Sequence, residues 1–151
     1  HRKKIKPTMQ LIEINTIFLK LISTFTLNCK RKNIIIINSS ENLQFKTDKN
    51  ILSIILSNLI SNAIKYSFND ENIMIDHHLK NFNKLVLSIT NTGETFNNKI
   101  LHEDKEPIDI KSREYLGLTI CKELISILNG ELVIKSYDNH TTVSLIIPHT
   151  I

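Results

Sequence analysis

The chain has 151 residues, 41% of them hydrophobic and 23% charged, and carries a formal net charge of +4. This length suits one domain with a buried core, and no run of about 18 apolar residues predicts a membrane span. Two cysteines, Cys29 and Cys121, cannot form a disulfide framework, which fits a cytoplasmic setting. Aromatic residues make up 6% of the chain, too few for a basic stripe that reads nucleic acid, so no nucleic-acid partner is predicted.

The N-terminal third predicts a helix followed by two strands. Residues 1–8 are expected to form a linker or an edge strand that leads into a domain spanning residues 9–151. Apolar residues at helical spacing predict one helix from Met9 to about Lys30. The β-branched run Ile34–Ile37 predicts a buried strand, and the alternation of residues 43–47 predicts a second strand.

The middle of the chain predicts a long helix and a hairpin. Asp48 is a suitable N-cap for a helix from Lys49 to about Ser67. Two alternating segments, Ile73–Leu79 and Lys84–Thr90, predict antiparallel strands joined near residues 81–83.

The C-terminal third begins with a long irregular segment, from Asn91 to Ser112, which we interpret as a lid-like loop. A helix is predicted over Tyr115–Leu128, with Asn129–Gly130 as its stop signal, followed by strands over Leu132–Ser136 and Thr142–Ile147. Three helices and about six strands predict an α+β sandwich, with one mixed sheet covered on one side by helices.

A polar row on the predicted helix over residues 49–67 is the strongest functional signal. Asn58, Asn62 and Lys65 stand at positions i, i+4 and i+7, so they share one face of the helix. Amide oxygens and an ammonium group suit a hydrated Mg²⁺ ion and the oxygens of a polyphosphate. The alternative is that this row is the solvated face of an amphipathic helix in an asparagine-rich protein.

Five segments together resemble one protein family. The pattern Asn58-Leu59-x-x-Asn62-Ala63-x-Lys65-Tyr66-Ser67 resembles the N-box of the GHKL ATPases, in the form that sensor histidine kinases use. The similarity covers roughly residues 10–148. The further segments resemble the G1 box, the end of the G2 box, a turn into a strand and the last strand of the domain: Ile89–Phe96, Leu116–Leu124, Asn129–Leu132 and Thr141–Pro148.

The resemblance implies the Bergerat fold, a two-layer α/β sandwich with a mixed, mostly antiparallel sheet and about three helices on one face. It also implies binding of ATP and Mg²⁺ between the N-box helix and the lid. By position, Asn62 would be the metal ligand and Asn58 would assist it as a catalytic residue. Lys65 would contact phosphate, and Tyr66 would lie near the adenine.

The glycine boxes complete the cofactor-binding residues that the resemblance implies. Asn91 would accept a hydrogen bond from the adenine amino group, and Gly93 would let the backbone pass close to the base. Gly117 and Leu118 would belong to the box near the phosphates.

Four positions depart from the family pattern. Asn91 replaces an aspartate, and a neutral acceptor contributes about 0.5–1.5 kcal/mol where a charged one contributes about 1.5–3 kcal/mol. Thr95, Arg113 and Tyr115 stand where the family has glycines, whose backbone N–H groups would otherwise cradle phosphates.

The function that follows from the resemblance is the ATP-binding catalytic domain of a two-component sensor histidine kinase. It would donate the γ-phosphate of ATP to a histidine on a missing domain, and residues 1–8 would be the linker from that dimerisation domain. The isolated fragment is therefore not expected to phosphorylate itself. The expected partners are the dimerisation domain and a response regulator. The full-length protein is expected to be a homodimer anchored in a membrane. This fragment is expected to lie in the cytoplasm without direct membrane contact.

A second interpretation uses the same fold without turnover. The departures at Asn91, Thr95, Arg113 and Tyr115 would suit a pseudokinase that relays conformation to a helical partner. The row of Asn58, Asn62, Lys65 and Tyr66 favours the kinase instead.

Overall fold

The computed structural model of the chain describes residues 5–94 and 112–149, with backbone alone for residues 112–118. The described part contains seven strands and four helices. In chain order they are β1 (Gln10–Glu13), α1 (Ile14–Thr24), α2 (Thr26–Lys32), β2 (Ile35–Asn38), β3 (Gln44–Thr47), α3 (Lys49–Tyr66), β4 (Asn72–Lys80), β5 (Lys84–Thr92), α4 (Ser112–Ile127), β6 (Glu131–Tyr137) and β7 (His140–Pro148).

Five strands form one mixed sheet in the order β2-β4-β5-β7-β6, with β2 parallel to β4 and the other pairs antiparallel. One face packs on the helices. The other face is polar along its centre, where Ser88 pairs with Ser144 at 2.8 Å and Thr90 pairs with Thr142 at 2.9 Å, oxygen to oxygen. A mixed, mostly antiparallel sheet with helices on one face is the two-layer sandwich that the sequence predicts, so that prediction is confirmed.

The core lies between this sheet and helices α1, α3 and α4. Alternate residues of the strands point toward it, as the period of two requires. Each fully buried Leu, Ile or Phe contributes about 1.5–3 kcal/mol relative to an exposed side chain. The largest fully buried side chains are Phe18, Ile14, Leu52, Ile55, Leu56, Ile60, Ile73, Ile75, Leu85, Leu87, Ile89 and Leu145.

The N-terminal segment differs from the single helix that was predicted. It contains strand β1 and two helices that are separated at Phe25. The hydroxyl of Thr24 donates to the carbonyl of Lys20, and that of Thr26 donates to Ser23, and such local bonds compete with a continuous helix. Strand β1 pairs with β3 in a separate two-stranded sheet, which the sequence did not predict beside the main sheet.

The isoleucine run also differs in its burial. It forms strand β2, as predicted, but β2 is an edge strand and Ile35 is 61% exposed. A run of β-branched residues predicts strand conformation, whereas burial depends on a neighbour for each edge and face.

Helix α3 begins and ends where the sequence indicates. The Asp48 carboxylate accepts hydrogen bonds from the backbone N–H groups of Ile51, at 2.9 Å, and Thr8, at 2.6 Å, so the N-cap is confirmed. Helix α4 gives way to a left-handed residue, Asn129, with φ 56°. Within the described ranges, none of the helices combines the length and the apolar character that crossing a bilayer requires.

Candidate functional site

A narrow cleft with a cavity volume of about 20 Å³ lies between the C-terminal half of α3 and the strands β5, β6 and β7. Its walls are mostly aliphatic, with a few polar side chains placed among them. The lining residues are Leu59, Asn62, Ala63, Tyr66, Ile89, Asn91, Glu94, Leu132, Ile134, Thr141 and Val143.

The helical wall of the cleft extends the buried stripe of α3. Leu59, Asn62, Ala63 and Tyr66 stand at i, i+3, i+4 and i+7, which places them on one side of the helix. Leu59 and Ala63 are buried, while Asn62 and Tyr66 are half-buried. A planar apolar group would therefore meet aliphatic surface, with Asn62 and Tyr66 at its border.

The strand side of the cleft holds a buried amide. Asn91 is 5% exposed, and its Nδ2 atom makes no hydrogen bond within the described structure. Its neighbour across the sheet, Thr141, is also buried, but the hydroxyl of Thr141 pairs with that of Ser136 at 3.0 Å. An unsatisfied buried donor costs about 1–3 kcal/mol, so the Asn91 amide favours a ligand that brings an acceptor to it.

Gly93 directly follows β5 and lies against the C-terminal end of α3. A Cβ at this position would collide with the Tyr66 carbonyl oxygen and would lie 2.7 Å from Cα of Ser67. The N–H of Gly93 donates to the carbonyl of Asn139 at 2.7 Å, and the N–H of Glu94 donates to that of Tyr66 at 3.0 Å. The absence of a side chain therefore brings α3, β5 and the β6–β7 turn together around the cleft.

The electrostatics of the cleft centre on Tyr66. Burial, and then the nearby Glu94 carboxylate, raise the pKa of the Tyr66 phenol above its usual value. The phenol is therefore protonated at neutral pH and can act as a hydrogen-bond donor.

Two of the predicted residues lie beside the cleft. The Asn58 amide donates to the carbonyl of Ile54 at 3.0 Å and hydrogen-bonds Cys121, on the side of α3 that faces α4. Lys65 lines a separate recess with residues of α2, although its Nζ atom is 5.8 Å from the centroid of the Tyr66 ring. The structure thus brings Asn62, Tyr66 and Asn91 together, with Gly93 adjacent.

Helix geometry explains this separation. Each residue advances about 100° around the axis, so the cleft-facing stripe of Leu59, Asn62, Ala63 and Tyr66 has its centre close to Leu59. Asn58 and Lys65 lie roughly 90–110° from that centre. They share a face with Asn62, as predicted, but that face meets the cleft only at its edge.

The phosphate-side predictions fall largely outside the described residues. Gly117 and Leu118 lie on the first two turns of α4, and nothing is described of their side chains. Most of the predicted lid, including Thr95, lies outside as well, as do the side chains of Arg113 and Tyr115. The roles of these residues stay predictions.

Several residues of the site were not predicted. Leu132, Ile134, Thr141 and Val143 line the cleft because β6 and β7 present alternate residues to the helices, a signal that strand alternation contains. Lys32 was not singled out by the sequence either, and its Nζ atom donates to the carbonyls of Ile64 and Lys65 at 2.9 and 3.0 Å. It thereby caps the C-terminus of α3.

The chemical character of the residues that line the cleft suits a purine base. The aliphatic walls suit a flat base, and the Asn91 amide offers it a polar partner. In the described part of the chain, no group of three or more His, Cys, Asp or Glu side chains gathers as a metal site. The Asn62 amide oxygen is the kind of hard ligand that Mg²⁺ takes when it keeps waters and binds substrate phosphates.

Comparison with known proteins places this geometry in context. Residues 47–151 match the family described as histidine kinase-, DNA gyrase B- and HSP90-like ATPases. The chain is 28% identical over 136 residues to the heme sensor protein HssS of Staphylococcus epidermidis, covering 84% of this chain and 29% of HssS. It is 32% identical over 124 residues to the autoinducer 2 sensor kinase/phosphatase LuxQ of Vibrio harveyi, covering 72% of this chain and 14% of LuxQ.

Solved structures share the fold. The catalytic domain of histidine kinase ThkA matches with a TM-score of 0.83 and 21% identity, covering 95% of this chain and 99% of that domain. Full-length ShkA in complex with AMPPNP matches with a TM-score of 0.82 and 17% identity, over 95% and 32% of the two chains. ThkA in complex with the response regulator protein TrrA matches with a TM-score of 0.77 and 21% identity, covering 94% of this chain and 42% of the ThkA chain.

Proposed function

The chain belongs to the family of histidine kinase-, DNA gyrase B- and HSP90-like ATPases, and we propose that it binds ATP with Mg²⁺ as the catalytic domain of a sensor histidine kinase. In this role it donates the γ-phosphate of ATP to a histidine on a dimerisation domain. Membership in an ATPase family implies ATP binding, and the curated relatives are sensor proteins. The chain spans less than a third of the length of HssS and of LuxQ, so the transfer step and its partners are part of the proposal.

The cleft supports this proposal through one observation above the others. The side chain of Asn91, on β5, is buried among the aliphatic walls of the cleft with an unpaired donor. Asn62 and Tyr66, on α3, border the same cleft. A buried polar group at a defined position in an apolar pocket is typical of a site that orients a ligand.

Each residue has a distinct part in the proposed chemistry. Bound Mg²⁺ supplies positive charge that offsets the charge of the phosphates. Asn62 would hold the ion through its amide oxygen, and Asn58 would assist from the α4 side. Lys65 is exposed on a flexible stem and would contact phosphate, while Tyr66 and Asn91 position the base.

The partners follow from the same proposal. A histidine-bearing dimerisation domain would receive the phosphoryl group, and a response regulator would take it further. The solved complex of ThkA with TrrA is an example of such a kinase bound to a response regulator. We place the domain in the cytoplasm, as part of a membrane-anchored homodimeric sensor.

Isothermal titration with ATP tests nucleotide binding directly. We expect micromolar to submillimolar affinity that depends on Mg²⁺, and a loss of about tenfold or more in Asn62→Ala, because Asn62 is the proposed metal ligand. Asn50→Ala is the matched control, since Asn50 is an exposed asparagine in the first turn of the same helix.

Two results would count against the kinase. Absence of heat and of a thermal shift at millimolar ATP would overturn ATP binding and favour the pseudokinase alternative. Equal affinities of Asn62→Ala and wild type in Mg²⁺ would remove Asn62 as the metal ligand.

A further inference from the structure

Among the described polar residues that line the cleft, Asn91 is the one that is buried and also has an unpaired side-chain atom. It is 5% exposed and its amide nitrogen has no hydrogen-bond partner within residues 5–94 and 112–149. The buried Thr141 hydroxyl, by contrast, is paired with Ser136. Among the described residues, Asn91 therefore offers an unpaired donor to a ligand in this part of the cleft.

The described side chains beside Asn91 leave its Nδ2 atom without a hydrogen-bond partner. Ile89 and Val143 are aliphatic, and Thr141, directly across the sheet from Asn91, pairs with Ser136. A half-turn about the Cβ–Cγ bond exchanges the donor and the acceptor of a carboxamide without changing its shape. The amide can therefore present either arrangement to a bound base.

Purine bases differ at the edge that such a group reads. Adenine carries an amino donor at C6 beside an acceptor at N1. A 6-oxo purine such as hypoxanthine carries an acceptor at C6 beside an N–H donor at N1. One orientation of a carboxamide pairs with the first arrangement, and the reversed orientation pairs with the second. A carboxylate at the same position only accepts, so it suits the amino group and opposes the carbonyl oxygen.

We infer that Asn91 makes this cleft accept 6-oxo purine nucleotides as well as ATP. The inference rests on the proposed nucleotide-binding function and concerns which bases the same site takes. Discrimination against a base arises mainly when its binding leaves a buried polar group of the site unpaired. The reversible amide of Asn91 avoids that penalty with both classes of base.

The test is a comparison of ATP with ITP, both with Mg²⁺, by isothermal titration. ITP differs from ATP only at position 6 of the base and in the proton at N1, so the ratio of the two affinities isolates the edge that Asn91 would read. We expect wild-type protein to bind the two nucleotides within about tenfold of each other. Asn91→Asp should shift the ratio toward ATP by at least about tenfold, because the donor is removed.

The control is Asn83→Asp, which adds the same charge at an exposed position in the turn between β4 and β5. It should leave the ratio at the wild-type value. The wild-type ratio decides the inference even if Asn91→Asp fails to fold.

The outcomes separate the inference from the function on which it rests. ATP binding with a wild-type preference over ITP above about tenfold would overturn the inference and leave the proposed function standing. An unchanged ratio in folded Asn91→Asp would overturn the assignment to Asn91. Failure of both nucleotides to bind would overturn the proposed function and the inference together.

Discussion

Helix α3 is held differently at its C-terminal end and on the side that faces α4. Where its C-terminal end meets the sheet, backbone groups bind each other: the N–H of Glu94 donates to the carbonyl of Tyr66 at 3.0 Å and, just past the helix, the N–H of Phe68 donates to that of Thr92 at 3.0 Å. On the flank that faces α4, the described contacts come from side chains. The Asn58 amide bonds within its own helix, and the Cys121 thiol lies 3.9 Å from the carbonyl oxygen of Ile55.

This difference indicates which part of the site is preorganised. Backbone contacts around Gly93 fix the base side of the cleft, so a small change there has a large effect. The α4 side depends on packing, which can adjust when a ligand or a partner arrives. Burial raises the pKa of the Cys121 thiol to about 11 despite its hydrogen bond with Asn58, so the thiol packs as a neutral group.

The largest predicted effect is that of Gly93→Ala. The added Cβ would collide with the Tyr66 carbonyl oxygen, so the junction of α3 with β5 must open. We expect a loss of about 2–3 kcal/mol or more in the free energy of unfolding, measured with urea, and loss of ATP binding at temperatures where the protein stays folded.

Gly130→Ala is the comparison for this variant. Its Cβ would lie 2.8 Å from the carbonyl oxygen of Ile146, at a distance from the cleft, so it should lower stability and spare ATP binding. Equal binding losses in the two variants would show that the effect of Gly93 is one of general stability.

The next effect is that of Asp48→Ala, at the opposite end of α3. One carboxylate oxygen caps the helix and the other binds the N–H of Thr8, so both bonds are lost together. We expect unfolding to become easier by about 2 kcal/mol in urea denaturation. Asp76→Ala, at an exposed position of β4, should change the unfolding free energy much less. Similar losses in both variants would contradict the capping role.

The features of α3 that the sequence predicts are those set by local chemistry. A short side chain that accepts bonds from the first turn identifies Asp48, and apolar spacing identifies the helix. The strand pairs β4–β5 and β6–β7 follow from alternation and turns in the same way. Strand β1 could not be predicted, because its apolar residues continue the spacing of α1 and only pairing with β3 distinguishes it.

The site was predictable to the extent that it lies on those local patterns. The stripe that contains Asn62 and Tyr66 is readable from helical spacing, whereas the direction of the cleft relative to that stripe depends on how α3 packs on the sheet. For this reason Asn58 and Lys65 could not be separated from Asn62 by sequence. The collision that a side chain at Gly93 would cause requires coordinates, because the two elements lie far apart in the chain.

A third prediction concerns pH. Burial lowers the pKa of His77 most strongly, and the exposed His78 lowers it further, while the hydrogen bond with the Glu41 carbonyl and the Asp76 carboxylate raise it. The unfolded chain therefore takes up the proton first, so stability is full above about pH 6.5 and falls as pH drops toward the lower folded pKa.

Urea denaturation at pH 7.5 and pH 5.5 measures this loss. We expect His77→Gln to reduce the acid-induced loss of stability and His78→Gln to retain it, because of these two histidines only His77 is buried. The His77 ring stacks on the Phe18 ring, with 5.9 Å between the ring centroids. An unchanged acid response in His77→Gln would assign the loss to other groups.

The smallest predicted effect is that of Lys32→Met, which keeps the apolar stem and removes the ammonium group. Losing the bonds to Ile64 and Lys65 at the C-terminus of α3 should cost about 0.3–1 kcal/mol in urea denaturation. The control is Lys30→Met, at an exposed position of α2, the helix that also carries Lys32. Identical stabilities of the two variants would show that this cap contributes nothing measurable.

The most direct measurement of the central claim is an NMR titration of ¹⁵N-labelled protein with ATP and Mg²⁺. If the nucleotide binds between α3 and β5, the largest shifts will fall on the backbone amides of Ala63 and Gly93 and on the side-chain amide of Asn91. The spectra of α1 and β2 will change little. Shifts concentrated on Arg31 and Lys32, in the recess between α2 and α3, with none at Asn91, would contradict the account.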